Sequence, residues 1–82
     1  ALQSHSVRVY PNPATNEIYL ADININRLKP VEISIYDLSG HQITHQFLTQ
    51  NRIKTKLLPS GLFLLKIRQG NRLYYTKFLI RK

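Results

Sequence analysis

The stretch LFLLKIRQGNRLYYTKFLI, Leu62 to Ile80, constrains the fold of this chain more than any other. Two runs of alternating apolar and polar residues flank Gly70-Asn71, and a two-residue loop with glycine first joins two strands in a tight hairpin, leaving Gln69 opposite Arg72. That choice fixes the register. Ile67 then faces Tyr74, Leu65 faces Thr76 and Phe63 faces Phe78, and because side chains alternate across a strand these residues share one face with Ile80. The opposite face carries Leu62, Leu64, Lys66 and Arg68 against Leu79, Lys77, Tyr75 and Leu73, with Arg81 beyond. One face is predicted to be core and the other a basic, leucine-rich surface.

The same period of two recurs upstream in short runs separated by Gly, Pro, Asn and Asp. Ser6 to Tyr10 predicts a first strand with Val7 and Val9 on one face, and Glu17 to Ala21 a second with Ile18 and Leu20 inward. Ile23 and Ile25 fall on the other parity, which places a bulge or a strand end near Asp22. Asn24 to Pro30 reads as a loop, and Val31 to Tyr36 as a strand with Val31, Ile33 and Ile35 inward. Asp37-Leu38-Ser39-Gly40 has an acceptor side chain first and glycine last, as a type I turn prefers, so Gln42 to Thr49 should return as its partner strand. Ile53 to Leu57 alternates again and runs into Leu58-Pro59-Ser60-Gly61, a second turn. Seven short strands without a credible helix predict an all-β fold, an Ig-like antiparallel β-sandwich of about seven short strands.

Composition narrows the chemistry. Eighty-two residues suit one domain with a thin core, and no cysteine is present to staple it. His5, His41 and His45 are scattered, none is paired with a nucleophile, and without cysteine partners they predict no structural zinc site. Asp37 has a turn to form, Asp22 flanks the phase slip, and Glu17 and Glu32 sit on solvent-facing parity. The chain therefore reads as no enzyme, with no cofactor and no metal. No apolar run is long enough to cross a bilayer as a helix, Ala1 to Ser6 is unlike a signal peptide, and the lack of methionine reads as a piece of a longer polypeptide. A net charge of +8 raises polyanions as partners. The basic residues are spread along the chain, however, and Tyr74 falls on the core face, so the pattern predicts no nucleic-acid partner.

The remaining signal is VYPNPATN, Val9 to Asn16. Pro11 and Pro13 lack backbone donors and Asn12 precedes a proline, so a strand must leave the sheet here stiffly. Together with VEISIYDLSGHQI, LLPSGLFLLKI and the closing YYTKFLIRK, this order and spacing resembles the C-terminal sorting domain, type A, of the type IX (Por) secretion system of Bacteroidetes. The resemblance runs from about Val7 to Lys82, with residues 1–6 expected to be the end of a linker from an upstream cargo entering beside the prolines. The family's sorting motifs fall on Tyr10, Pro11, Asn12 and Pro13; on Tyr36, Asp37 and Gly40; and on Leu58, Pro59, Gly61 and Phe63, where tyrosine is more usual at the last position.

The resemblance implies a signal that directs a larger periplasmic cargo across the outer membrane. The implied partners are the secretion machinery, an outer-membrane β-barrel shuttle and a sortase-like cysteine peptidase that removes the tail or exchanges it for anionic lipopolysaccharide. The implied locations are the periplasm in transit and then the outer membrane, cell surface or medium. From the residues themselves, Leu62, Leu64, Lys66, Tyr75, Lys77, Leu79 and Arg81 with Lys82 are expected to form the recognition face, since leucines beside lysines suit an interface. The competing expectation is that these leucines lie under another strand or loop of the same domain. A different class of function, an Ig-like spacer or a glycan-binding accessory module, is disfavoured by the absence of tryptophan. An unguarded edge strand would allow weak self-association.

Overall fold

The computed structural model describes the backbone of residues 3–82 and side chains from Val7 onward. Its strands are β1 (Gln3–Ser6), β2 (Arg8–Tyr10), β3 (Glu17–Ala21), β4 (Val31–Tyr36), β5 (Gln42–Leu48), β6 (Arg52–Lys54), β7 (Gly61–Gln69) and β8 (Arg72–Ile80). They form a five-stranded sheet in the order β1-β8-β7-β4-β5 and a three-stranded sheet in the order β2-β3-β6. The all-β sandwich is the one the period-two pattern predicts. Its first strand is interrupted at Val7, so that β1 joins the large sheet and β2 the small one; taken together they restore the expected seven.

The terminal hairpin has the predicted register throughout, from Gln69 opposite Arg72 through Ile67 opposite Tyr74 to Phe63 opposite Phe78 and Gly61 opposite Ile80. Gly70 supplies the positive φ, 61°, that this loop requires. Inward residues of the hairpin meet Val31, Ile33 and Ile35 of β4 and, from the small sheet, Val9, Ile18, Leu20 and Ile53, all buried. Burying such side chains contributes roughly 1.5–3 kcal/mol each, which is what holds together a domain that has no cysteine to cross-link. Phe63 and Phe78 stack at its centre, with ring centroids 5.8 Å apart.

Three local features differ from the pattern or sharpen it. The phase slip is a strand end rather than a bulge: β3 stops at Ala21, Asp22 takes a φ of 64°, and the chain re-enters with Ile23 and Ile25 both buried. Asn51 braces this corner, its Nδ2 donating to the Leu20 and Ile23 carbonyls at 3.1 and 2.8 Å. The run Ile53 to Leu57 is not one strand. It ends at Lys54, and the Leu58 N–H closes a turn onto the Thr55 carbonyl at 3.0 Å, which leaves Leu57 96 % exposed while Leu58 turns inward. Finally, β1 runs parallel to β8, Gln3 beside Arg72 and Ser6 beside Tyr75, in a sandwich whose other strand pairs are antiparallel.

Candidate functional site

Register brings three separated turns to one end of the sandwich. Tyr36 at the end of β4 lies opposite Leu64, Gly61 at the start of β7 lies opposite Ile80, and Ala14 bridges to Ile80 from the other side. The segments Tyr10–Pro13, Tyr36–Gly40 and Leu58–Phe63 therefore gather around the last residues of the chain. Gly70-Asn71 and Gln3 sit at the opposite end, about 27 Å away along nine-residue strands at roughly 3.4 Å per residue. The described N-terminal backbone thus starts at the far end of β8 and does not enter beside Pro11 and Pro13.

At the gathered end, the proline segment acts on β8. The Asn12 Oδ1 accepts the Leu79 N–H at 2.9 Å, the Ala14 N–H donates to the Leu79 carbonyl at 2.7 Å, and the Arg81 N–H donates to the Ala14 carbonyl at 2.9 Å. The Tyr10–Pro11 and Asn12–Pro13 bonds are both cis. With β1 pairing residues 72–75, the outer edge of β8 is occupied at both of its ends. Sequence reasoning did not find this role for Asn12, and no local signal could have shown it, because its partner lies 67 residues away.

The second turn is closed from within. Asp37 Oδ1 accepts the N–H groups of Ser39 and His41 at 2.9 and 3.0 Å, and Gly40 with a φ of 88° completes the reversal. The His41 N–H bond, with that of Ser39, holds the Asp37 carboxyl below its ordinary pKa. In the third segment Leu58 and Phe63 are buried. Ser60 Oγ accepts the Lys82 N–H at 3.0 Å and the Lys82 ammonium bonds the Lys56 carbonyl, which turns Lys82 toward the β6–β7 connection.

The outward face of β7 and β8 carries Leu62, Leu64, Lys66, Tyr75, Lys77 and Leu79, and no other strand of the described residues lies over it. Tyr75 and Leu62 are exposed, at 39 % and 37 %, and Leu64 and Leu79 are half-buried. Arg81, just past the end of β8, is exposed. Leu64, Lys66, Tyr75 and Lys77 share a shallow cleft of about 370 Å³ with Tyr36 and the Asp37–Gly40 turn. The Lys66 ammonium sits 5.8 Å from the centre of the Tyr36 ring, within range of a cation–π contact. Beside it the Glu32 carboxylate accepts a hydrogen bond from His45 Nε2 at 2.6 Å; that bond, with Arg68 and Lys66 nearby, lowers the Glu32 pKa.

The outward face of the small sheet has a stacked pair, Tyr10 and Tyr19, with centroids 5.6 Å apart and Tyr10 52 % exposed. Tyr19 donates to Glu17 Oε1 at 2.6 Å, and this bond raises its pKa. Among the described residues no group of three or more His, Cys, Asp or Glu could hold a metal ion.

Comparison with known proteins agrees with this arrangement. The sequence model of one family, described as a secretion system C-terminal sorting domain, matches residues 8–81. A solved structure of PorZ, an essential surface component of the type-IX secretion system of Porphyromonas gingivalis, superposes with a TM-score of 0.69 at 16 % identity, over 93 % of this chain and 11 % of that one. That likeness is one of fold, and the chain spans about a tenth of the PorZ length. No curated protein matches the sequence. With the family's pattern met along nearly the whole chain, the chain belongs to the C-terminal sorting domains of the type IX secretion system.

Proposed function

We propose that this domain directs a larger periplasmic cargo across the outer membrane, and that the machinery reads it as a folded surface rather than as a linear motif. The observation that carries this reading is the structural use of three of the motif residues. Asn12 holds Leu79, Asp37 holds its own turn and Phe63 stacks in the core, so these residues build the strand end and leave contact to what surrounds it. What surrounds it is the face of Leu62, Leu64, Lys66, Tyr75, Lys77, Leu79 and Arg81. Leucines supply apolar area there and the cations supply orientation, the division of labour that a docking surface needs.

On this reading an outer-membrane β-barrel shuttle receives the domain, and a sortase-like cysteine peptidase then removes it or exchanges it for anionic lipopolysaccharide at the cell surface. The cargo ends on the outer membrane or in the medium. Gln3–Ser6 is paired along β8, so a cut upstream of β1 leaves the sheet complete. The role read here for the domain is that of a signal and not of a catalyst.

The test is a fusion of Ala1 to Lys82 behind a periplasmic reporter in a host that has the system, beside a Leu64→Glu, Leu79→Glu double variant. The reporter should reach the surface or medium with the native face, and stay in the periplasm with the double variant while circular dichroism shows an intact β-fold. Retention of the native fusion would overturn the sorting role; normal export of the folded double variant would overturn the assigned face alone.

A further inference from the structure

The side of the sandwich between β5 and β6 is open. β5 ends the large sheet and β6 ends the small one, and among the described residues no strand covers the free edge of either. A groove of about 470 Å³ runs between them, lined by Ile43, Thr44 and Gln46 on one side and by Lys54, Lys56, Leu57 and Leu58 on the other. It continues past Gln46 and Lys54 into a second cleft of about 310 Å³ that reaches Arg52.

Two properties of this edge favour an added strand and a third sets its length. Thr44 to Leu48 contains no lysine, arginine, proline or carboxylate, the residues with which proteins blunt an edge strand. The bulge that skips Ile43 turns that side chain to the groove and ends the regular edge there, so about five residues remain for pairing. The far wall carries two cations, Lys54 and Lys56, beside Leu57 and Leu58, and no carboxylate lines either cleft. Glu17 pairs with Arg52 at 3.7 Å and lies opposite Lys54 on β3, which tempers these two charges, whereas Lys56, with the Lys82 ammonium bonded to its carbonyl, has no ion pair among the described residues.

We propose that the free edge of β5 takes up an extended acidic peptide from a partner protein, which adds a strand to the five-stranded sheet. Backbone hydrogen bonds to β5 give the strand its place, and alternate side chains give it specificity. Every second residue of the added strand points into the groove, where Lys54 and Lys56 select carboxylates. The residues between lie on the outer face beside Phe47, which is 68 % exposed and has no neighbour across the edge. The charge argues against a second copy of this chain. Edge-to-edge pairing of two copies would bring Lys54 and Lys56 of each toward the other, in molecules that each carry +8. The site is distinct from the β7–β8 face, and it stands whether or not that face is the one the secretion machinery reads.

The probe is a synthetic heptapeptide alternating glutamate with valine, titrated into the isotope-labelled chain by NMR beside the same peptide with lysine for glutamate. The glutamate peptide should shift amide signals at residues 42–48 and 52–58 and slow hydrogen exchange on β5, and the lysine peptide should do neither. A Lys54→Glu, Lys56→Glu variant should bind the glutamate peptide about tenfold more weakly, the size expected when exposed ion pairs become repulsive. Circular dichroism checks that the variant folds. Three results would overturn the proposal: binding of both peptides alike, shifts without slowed exchange on β5, or sedimentation showing that the free chain dimerises through this edge.

Discussion

On one side of the five-stranded sheet, β8 is covered by β1 at Arg72 to Tyr75 and by Asn12 and Ala14 at Leu79 to Arg81; on the other, β5 presents its backbone to an open groove. Both are sides of one sheet, yet they are finished in different ways. The terminal strand is closed by a four-residue parallel partner and by a proline segment that cannot itself extend the sheet, since Pro11 and Pro13 have no N–H to offer. The β5 edge has neither. The proline segment therefore works as an edge closure for β8. A signal read at that strand end gains from having its backbone already satisfied, because a bare edge there would pair with whatever strand it met.

The harshest way to break the contrast is to remove what anchors β8 beneath its closure. Phe78 is fully buried and stacks on Phe63, so Phe78→Ala should destabilise the domain by about 3–5 kcal/mol. At roughly 4–8 °C per kcal/mol for a domain of this size, the thermal midpoint followed by circular dichroism should drop by about 12 °C or more. A drop of only a few degrees would mean that the closed side of the sheet is held chiefly by its edge contacts and not by the core under it.

A milder variant separates closure from recognition. Asn12→Ala deletes the acceptor of the Leu79 N–H and, at an exposed position, should remove about 0.5–1 kcal/mol. Hydrogen exchange at Leu79 should speed up while exchange at Leu65 and Ile67, deep in β7, stays slow. If instead Leu79 exchange is unchanged and export of a fused reporter fails, Asn12 is a receptor contact and the closure account is wrong.

How much of this was legible beforehand follows from the range of the forces involved. The terminal hairpin could be placed residue by residue because a two-residue loop between alternating runs leaves one register that buries Phe63, Leu65, Ile67, Tyr74, Phe78 and Ile80 together. The Asp37 turn was equally plain, since its hydrogen bonds reach only two to four residues. What hid was either non-local or unpatterned. Gln3–Ser6 pairs through its backbone and its sequence, QSHS, has no apolar rhythm to announce a strand. Leu57 completed an alternation that the turn at Thr55 cuts short. The Asn12 bond to Leu79 and the Ser60 bond to Lys82 join residues far apart in the chain, and hydrogen bonds of that kind leave no trace in a window of ten residues.

The smallest effect is the most selective. Gln46 is half-buried on the groove side of β5 and borders both clefts with Lys54. Gln46→Glu keeps the side chain's size and gives the edge a carboxylate of its own, one of the devices by which natural sheets guard an edge. The new charge faces Lys54, so its desolvation is offset by a nearby cation and the net change in stability should stay within about 0.5 kcal/mol, or a midpoint shift of a few degrees at most. Binding of the alternating glutamate peptide should nevertheless fall several-fold, because the groove's cations are already engaged and the added strand meets a like charge. The two sides of the sheet would then be alike in being closed, one by a strand and a proline segment and the other by a single carboxylate. Unchanged peptide affinity in a variant of unchanged stability would show that Lys54 does not select the strand that docks there, and would shift the electrostatic argument onto Lys56 and Lys82 alone.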